Sequence, residues 1–406
     1  MKIAQRVAFL KPAILQAVTA KADRRRGEGK QVINLGVGEP DFDTPEHIKE
    51  AAASAMWSGM TKYTAVGGTA SLKAAIVRKF GQDNQLAYDA GQIIVSCGAK
   101  HSLYNLMQAA LDPGEEVIIP APYWPSFVDM TGLAGARPVV VPCGMDSAYK
   151  LTAERLAASI TPLTRMLILN SPCNPTGAVY GESELAALGE VLRRHPHILI
   201  VSDDIYEPIL FAGRFRNIAN VCPDLIDRIV VINGVSKSYA MTGWRIGYAA
   251  GPRHLIAAMT NLQGQSTSNP SSVAQAAAEA ALRGDQTCVA DMAGSFRERH
   301  DYVVGELNRA AGVRCLAAQG AFYAFANVEA CIARLAEAGR LPEASDVAFA
   351  DYLLDQGGLS LVPGTAFGLP GHIRISFATS MALLRESMAT FRRVCGELSR
   401  SPCVAR

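Results

Sequence analysis

The chain has 406 residues, enough for two domains, and 49 % of them are hydrophobic, so it can bury a full core. Its 39 Lys and Arg nearly balance its 37 Asp and Glu, which gives no reason to expect nucleic acid or an anionic membrane as a partner. Nine cysteines, an odd number without a C-x-x-C pair, argue against a disulfide framework and a metal site. With no predicted signal peptide or membrane span, we expect a cytoplasmic protein.

The N-terminal segment is predicted to be an arm and a helix over residues 1–30, followed by a short strand within Gln31–Glu39. Gly36 and Gly38 have the spacing of the first two glycines in a dinucleotide-binding turn. A third glycine is missing, however, and Pro40 stands where the helix of that turn should open. A nicotinamide dehydrogenase is therefore excluded, and the glycines are interpreted as points where the backbone closely approaches a ligand or a strand.

The next segment carries helix signals. The sequence Thr-Pro-Glu at 44–46 predicts a helix start in which the Thr44 hydroxyl is the cap, proline occupies the first turn and an acid follows. Leu72, Ile76 and Phe80 recur at steps of four and predict one buried face of a further helix.

Alternating strands and helices between residues 92 and 250 predict a mostly parallel sheet with helices on both faces, an α/β architecture. After about residue 290 the pattern changes to helices with short strands near 320–325, 359–362 and 372–377. We therefore predict an N-terminal arm and part of the small domain over 1–45, a large domain over 46–290, and a small α+β domain over 291–406.

Polar groups directly follow the predicted strands of the large domain. In an open α/β sheet the carboxyl ends of the strands are where ligands bind, so these groups predict one site. Each has an ordinary alternative: the turn at 96–100 is a common connection, Trp124 could simply pack, and Asp203 could cap a helix. The groups are Gly98 to Lys100, Trp124, Asn174, Asp203 with Tyr206, and Ser236 with Lys237.

Lys237 lies among Val, Ser, Ala, Met and Trp residues just after an apolar strand. Burial lowers the pKa of an amine and makes it nucleophilic towards an aldehyde. Ser236 and Arg245 offer a hydroxyl and a planar cation suited to a phosphate monoester, so the three residues suggest pyridoxal 5'-phosphate (PLP). The alternative is a strand-end lysine that extends to water. Arg374, between Ile373 and Ile375, either pairs with an acid or is kept for a ligand carboxylate.

Ten motifs in order resemble the class I PLP-dependent aminotransferases, in particular the bacterial aspartate aminotransferase subgroup. They extend from about residue 34 to 380, and the resemblance implies the PLP-dependent transferase fold. The motifs are GEPDFDTP, KYTAVGG, SCGAK, LDPGEEV, APYWPSF, NSPCNPTGAVY, VSDDIYE, GVSKSYAMTGWRIGY, GAFYAF and HIRISFATS.

The resemblance also implies roles for individual residues. Lys237 is similar to the lysine that binds PLP covalently and shuttles a proton, and Asp203 to the carboxylate that pairs with the pyridinium nitrogen. Tyr206 and Asn174 are similar to the pair that contacts the ring's phenolic oxygen, and Trp124 to the aromatic residue that stacks on the ring. The residues that match the phosphate cradle are Ala99, Lys100, Ser236 and Arg245, and Gly98 is expected as a further cofactor-binding residue.

Further matches concern the substrate and a second subunit. Arg374 is similar to the arginine that binds the substrate α-carboxylate in a bidentate manner, and the resemblance adds Gly38, Trp124 and Asn174 as substrate contacts. Tyr63 is similar to a tyrosine that reaches the phosphate of a neighbouring subunit, which implies a homodimer with shared active sites.

The resemblance implies that an amino group moves from an L-amino acid to a 2-oxo acid, with 2-oxoglutarate as the expected acceptor, by a ping-pong mechanism. A PLP-dependent lyase or synthase on the same fold is the alternative. An aspartate donor needs a second polar or cationic partner for its side-chain carboxylate. Residues 13–15 after Lys11-Pro12 are apolar, however, and the helix after the phosphate turn offers Gln108 rather than a further cation. A buried carboxylate without a partner is costly, so these departures favour aromatic or aliphatic donors beside aspartate-like ones.

Overall fold

The structure is a computed structural model that describes residues 2–8, 10 and 14–396. Its α-helices, in chain order, are α1 (Gln5–Ala8), α2 (Ile14–Gly27), α3 (Glu46–Trp57), α4 (Ala70–Lys79), α5 (Ala99–Ala110), α6 (Ser126–Leu133), α7 (Ala153–Ser159), α8 (Glu182–Arg193), α9 (Ile218–Val221), α10 (Arg253–Ser266), α11 (Ser272–Arg283), α12 (Thr287–Arg309), α13 (Glu329–Glu337), α14 (Asp346–Gly357) and α15 (Met381–Gly396).

The strands are β1 (Ile33–Asn34), β2 (Ile93–Ser96), β3 (Glu116–Ala121), β4 (Arg137–Pro142), β5 (Thr164–Asn170), β6 (Leu199–Asp203), β7 (Ile229–Gly234), β8 (Gly247–Ala250), β9 (Arg314–Cys315), β10 (Tyr323–Asn327), β11 (Leu359–Ser360), β12 (Val362–Pro363) and β13 (His372–Ser376).

A seven-stranded sheet forms the centre of the molecule, with the order β2-β8-β7-β6-β5-β3-β4. β8 runs antiparallel to both of its neighbours, and the remaining neighbours pair in parallel. The prediction of a mostly parallel sheet is confirmed. The carboxyl ends of β5, β6 and β7 meet at one edge, where ligands are expected in such sheets.

Both faces of the sheet are buried because successive residues of each strand point to opposite sides. In β7, Ile229 and Val231 join a core formed with α4, α8 and α11, whereas Val230 and Ile232 join a second core formed with α5 and α10. Each fully buried aliphatic side chain contributes about 1.5–3 kcal/mol to folding. Continuous Val and Ile runs are thus what a two-sided parallel sheet requires.

A smaller sheet, β12-β13-β10-β9, is antiparallel and carries a separate core with α12, α14 and α15. β1 of the N-terminal segment pairs in parallel with β11. The predicted boundary at residue 290 falls inside α12. The division into two domains stays a prediction, and the two sheets with their own cores support it.

Local signals agree with the structure at most positions, with one correction. Leu72, Ile76 and Phe80 are all fully buried, which confirms the predicted helix face. The prediction that Thr44 caps α3 is wrong. The Thr44 hydroxyl instead donates to the Ala240 carbonyl at 2.7 Å and accepts from the Trp244 indole at 3.0 Å, so tertiary partners outcompete the local cap.

Among the described residues, no helix combines the length and the apolar character needed to cross a lipid bilayer.

Candidate active site

A cavity of about 330 Å³ opens at the carboxyl ends of the central strands, beside the smaller sheet. It gathers eleven of the residues singled out from the sequence. These are Gly38, Ala99, Lys100, Trp124, Asn174, Asp203, Tyr206, Ser236, Lys237, Arg245 and Arg374.

Lys237 lies in the turn after β7, where the chain leaves the buried sheet. Its ammonium donates to the Gly38 carbonyl at 2.6 Å and lies 6.0 Å from the Phe322 ring centroid. Burial lowers its pKa to about 8, against the opposing effect of the Glu39 carboxylate. An amine with this pKa is partly uncharged near neutral pH and can attack an aldehyde.

Asp203 ends β6 and is 4 % exposed. Burial raises its pKa to about 7, and its carboxylate accepts only a long hydrogen bond from the Ile205 amide at 3.4 Å. No Lys, Arg or His of the described chain forms an ion pair with it. A buried carboxylate without a cation is costly, so this one favours a ligand that brings a positive charge or a proton.

Trp124 and Lys100 form one wall of the cavity, with the Lys100 ammonium 4.8 Å from the indole centroid. Burial and the nearby Arg245 lower the pKa of Lys100. Gly98 precedes α5 with φ +87°, and Ala99 and Lys100 of the first turn of α5 line the cavity. A helix N-terminus beside two cations is a suitable place for a phosphate group.

Arg374 in β13 is 2 % exposed and forms no ion pair with an acid of the described chain. Its guanidinium donates to Asn174 Oδ1 at 3.0 Å and to the Gly36 carbonyl at 2.5 Å, while its Nε has no partner. Of the two alternatives drawn from the sequence, pairing with an acid is not found among the described residues, and the binding of a ligand carboxylate stays a prediction. Asn174 itself is held by its backbone amide, which donates to Asn170 Oδ1 at 2.8 Å.

Tyr206 and Tyr323 meet inside the cavity with their hydroxyl oxygens 2.8 Å apart. The GAFYAF strand was evident in the sequence, but no role was assigned to Tyr323. The pairing of β10 with β13 brings Tyr323 into the site, and the Arg374 guanidinium lies 4.5 Å from its ring centroid. Asn170 and Thr242 also line the cavity without having been predicted. Asn170 carries the same signal as the predicted residues, since it ends the apolar strand β5 and opens the NSPCNPTGAVY motif, whereas no local signal marks Thr242.

Two predicted residues do not line the cavity. Gly98 lies behind it, where a Cβ atom would clash with the Arg245 guanidinium. Tyr63 is 91 % exposed and contributes nothing to the cavity lining of its own chain. Of the positions used for substrate inference, residues 11–13 and the side chain of Leu15 lie outside the described residues. Gln108 lies outside the cavity lining, and its Nε2 is buried without a partner.

Comparison with known proteins identifies the family. The sequence model described as "Aminotransferase class I and II" matches residues 30–391. The chain belongs to this aminotransferase family. The aminotransferase is 54 % identical to an aspartate/prephenate aminotransferase of Nitrosomonas europaea, over 98 % of this chain and 100 % of the relative. It is 47 % identical to an aspartate aminotransferase of Rhizobium meliloti, over 98 % and 97 %.

Solved structures agree with the fold of the aminotransferase. The crystal structure of the Rhizobium meliloti aspartate aminotransferase superposes with a TM-score of 0.92 at 46 % identity, covering 98 % of this chain and 99 % of that one. The Thermus thermophilus aspartate aminotransferase with maleate gives 0.90 at 39 % identity, covering 97 % and 100 %. These comparisons confirm the predicted PLP-dependent transferase fold and the resemblance to the bacterial aspartate aminotransferases.

The family implies PLP as the cofactor of this aminotransferase, and the residues of the cavity fit that group. The uncompensated carboxylate of Asp203 suits a protonated pyridine nitrogen, and the amine of Lys237 suits an aldehyde. Arg245 and Lys100 beside the start of α5 suit the phosphate.

Proposed function

We propose that this aminotransferase uses PLP to move an amino group from an L-amino acid to a 2-oxo acid in two half-reactions. The observation that carries the proposal is that Lys237, Asp203 and Arg374 line a single cavity. The amine of Lys237 has a lowered pKa, and the buried carboxylate of Asp203 has a raised pKa and no cation beside it. The buried guanidinium of Arg374 keeps one donor, Nε, without a partner. The names of the relatives favour amino-group transfer over the lyase or synthase alternative.

Four sets of residues would hold the cofactor. Asp203 would pair with the ring nitrogen, Trp124 would stack on the ring, and Tyr206 with Asn174 would contact the phenolic oxygen. The phosphate would lie among Ala99, Lys100, Ser236 and Arg245, with Gly98 supplying the turn. When bound, PLP supplies an aldehyde that condenses with amines and a cationic ring that withdraws electrons from the substrate Cα.

The protein's own groups would bind the substrate and move its proton. Arg374 would bind the α-carboxylate with two parallel hydrogen bonds, releasing Asn174 or the Gly36 carbonyl in exchange. Bound in this way, the substrate would direct its Cα–H bond towards Lys237, whose amine would take up the proton and return it. The pKa of that amine, lowered to about 8, suits a proton carrier near neutral pH.

The substrates are proposed from the names of the relatives and from the resemblance. Aspartate-like donors with 2-oxoglutarate as acceptor follow from the aspartate aminotransferases, and the maleate that accompanies the Thermus thermophilus protein is a dicarboxylate in keeping with such donors. Prephenate as a second acceptor follows from the name of the Nitrosomonas europaea relative. Aromatic and aliphatic donors remain within the proposal because the cations that line the cavity among the described residues already have proposed roles, which leaves none for a side-chain carboxylate. These cations are Lys100, Lys237, Arg245 and Arg374.

The test is an assay of amino-group transfer with a panel of amino acids against 2-oxoglutarate and prephenate, with products separated by chromatography. We expect the wild-type protein to form glutamate from 2-oxoglutarate, and the Lys237→Ala variant to lose activity by at least about a thousandfold. Lys73→Ala is the matched control, since Lys73 donates to the Ala90 carbonyl outside the cavity. Transfer at the wild-type rate by Lys237→Ala would refute the proposal, and release of ammonia without a 2-oxo acid would indicate a lyase.

A further inference from the structure

The hydroxyl pair of Tyr206 and Tyr323 contains two protons, of which only one can lie between the two oxygens. The oxygens are 2.8 Å apart, and the side chains are 3 % and 0 % exposed. Burial raises the pKa of both phenols, so both hydroxyls keep their protons near neutral pH. One tyrosine therefore donates to the other, and the acceptor must direct its own hydrogen elsewhere.

The surroundings of Tyr323 decide which residue donates. The Gly38 backbone packs so closely against the Tyr323 hydroxyl that a Cβ atom at position 38 would lie only 2.6 Å from the phenolic oxygen. Among the described residues, Tyr206 is the hydrogen-bond partner of this hydroxyl. If Tyr206 donated, the hydrogen of Tyr323 would have little room beside Gly38 and no acceptor among those residues, and an unsatisfied donor on a buried side chain is costly.

Charges on the two sides favour the same direction. The Arg374 guanidinium lies 4.5 Å from the Tyr323 ring centroid and stabilises the partial negative charge that builds on this phenol when it donates. Burial and the Tyr323 contact raise the pKa of Tyr206, and the Asp203 carboxylate adds to that rise, whereas Arg374 lowers the pKa of this phenol as well. A phenol beside an anion is the better acceptor of the two.

We propose that Tyr323 is a positioning residue whose hydroxyl donates to Tyr206 and thereby aims the Tyr206 hydrogen at an acceptor inside the cavity. The inference rests on the proposed function, in which that acceptor is the phenolic oxygen of PLP. A phenol that accepts one hydrogen bond becomes a stronger donor in the next, so Tyr323 strengthens the contact without touching the reacting atoms. The arrangement joins β10 of the smaller sheet to the turn after β6.

The test is a pH titration of the visible absorbance band of the holoenzyme. A hydrogen bond donated to the phenolic oxygen withdraws charge from it, and this would lower the pKa of the Lys237 Nζ that joins the protein to the cofactor. We expect Tyr323→Phe to raise the pKa of the band by about 0.5–1 unit, because Tyr206 loses the partner that orients it. Tyr149→Phe is the matched control, since the Tyr149 hydroxyl is buried without a partner and lies outside the cavity lining.

A double variant separates a positioning role from a general structural one. If Tyr323 acts through Tyr206, the band of Tyr206→Phe/Tyr323→Phe titrates at the same pH as that of Tyr206→Phe alone. Additive shifts in the double variant, or a Tyr323→Phe band that titrates with the wild type, would overturn the inference. A wild-type protein that takes up no PLP would overturn the proposed function and this inference with it. The outcomes for the two variants, in contrast, would overturn only the inference.

Discussion

Lys237 differs from an ordinary surface lysine because burial lowers its pKa to about 8. Only the uncharged amine attacks an aldehyde, so the rate of PLP uptake by the apoprotein should rise with pH and level off above about 8. Stopped-flow absorbance at a series of pH values measures this rate. The Glu39 carboxylate raises the pKa of Lys237, so Glu39→Gln should move the half-point to lower pH. A half-point near 10 would contradict the geometry.

Burial acts on Asp203 in the opposite direction and raises the pKa of its carboxylate to about 7. In the unfolded chain an aspartate titrates at about 3.9, so between these values the folded apoprotein retains a proton that the unfolded chain releases. The stability of the apoprotein should therefore fall as pH rises from about 4 to 7, by an amount on the order of a few kcal/mol.

Asp203→Asn removes this penalty. We expect the variant apoprotein to unfold at a higher urea concentration than the wild type at pH 8, and the difference to shrink towards pH 4. Its affinity for PLP should fall in the same variant, because the ring nitrogen loses its anionic partner. Equal urea midpoints at pH 8 would show that the carboxylate of Asp203 is compensated.

At the scale of elements, the turn into α5 is shaped by a position that only glycine can fill. Gly98 has φ +87°, and a Cβ atom there would meet the Arg245 guanidinium. Gly114 has φ +89° with nothing within 4 Å of its Cβ position. Alanine at either position costs stability, but only Gly98→Ala should displace Arg245. We expect Gly98→Ala to weaken PLP binding at least about tenfold, as the dissociation constant from absorbance titration would show.

Gly114→Ala is the control for that experiment, since it imposes similar backbone strain far from the site. It should lower the thermal midpoint while leaving the PLP dissociation constant unchanged. Equal weakening of PLP binding in both variants would mean that the strain, and not the contact with Arg245, is responsible.

At the scale of the whole molecule, the loop between α3 and α4 presents Tyr63, which is 91 % exposed, and the last residue of α3, Trp57, is 85 % exposed. The loop is nevertheless anchored, because Ser272 donates to the Met60 carbonyl at 2.6 Å and Gln275 to the Thr64 hydroxyl at 3.1 Å. Exposed aromatic side chains on an anchored loop are typical of a protein–protein interface, and this supports the predicted homodimer with shared active sites.

Hybrid dimers test the sharing of sites. Lys237→Ala and Tyr63→Ala homodimers should each be impaired, and mixing them through reversible dissociation should restore activity. The hybrid then has one site in which both Lys237 and Tyr63 are intact. Lys237→Ala mixed with Asp203→Asn is the control, since both residues line the same cavity of one chain and no complete site can form. Rescue in the control, or none with Tyr63→Ala, would contradict shared sites.

The amino-acid sequence by itself determined the sheet and most of the site. Continuous Val and Ile runs such as 229–232 require burial on both faces. Asp203 at the end of β6 and Lys237 in the turn after β7 then lie at the same edge of the sheet. Local patterns hold where the partner is local: Ser345 caps α14, and its hydroxyl accepts from the Ala348 amide three residues along the chain at 3.0 Å.

Only the tertiary structure decided what depends on partners distant in sequence. Thr44 has a cap sequence, yet its hydroxyl binds Ala240, 196 residues away. Tyr323 reaches Tyr206 because β10 belongs to the second sheet, and the lack of an acid beside Arg374 becomes evident only once its neighbours are in place. Periodicity and turn chemistry describe interactions within one element. Hydrogen bonds and charges between elements depend on packing, which no local pattern encodes.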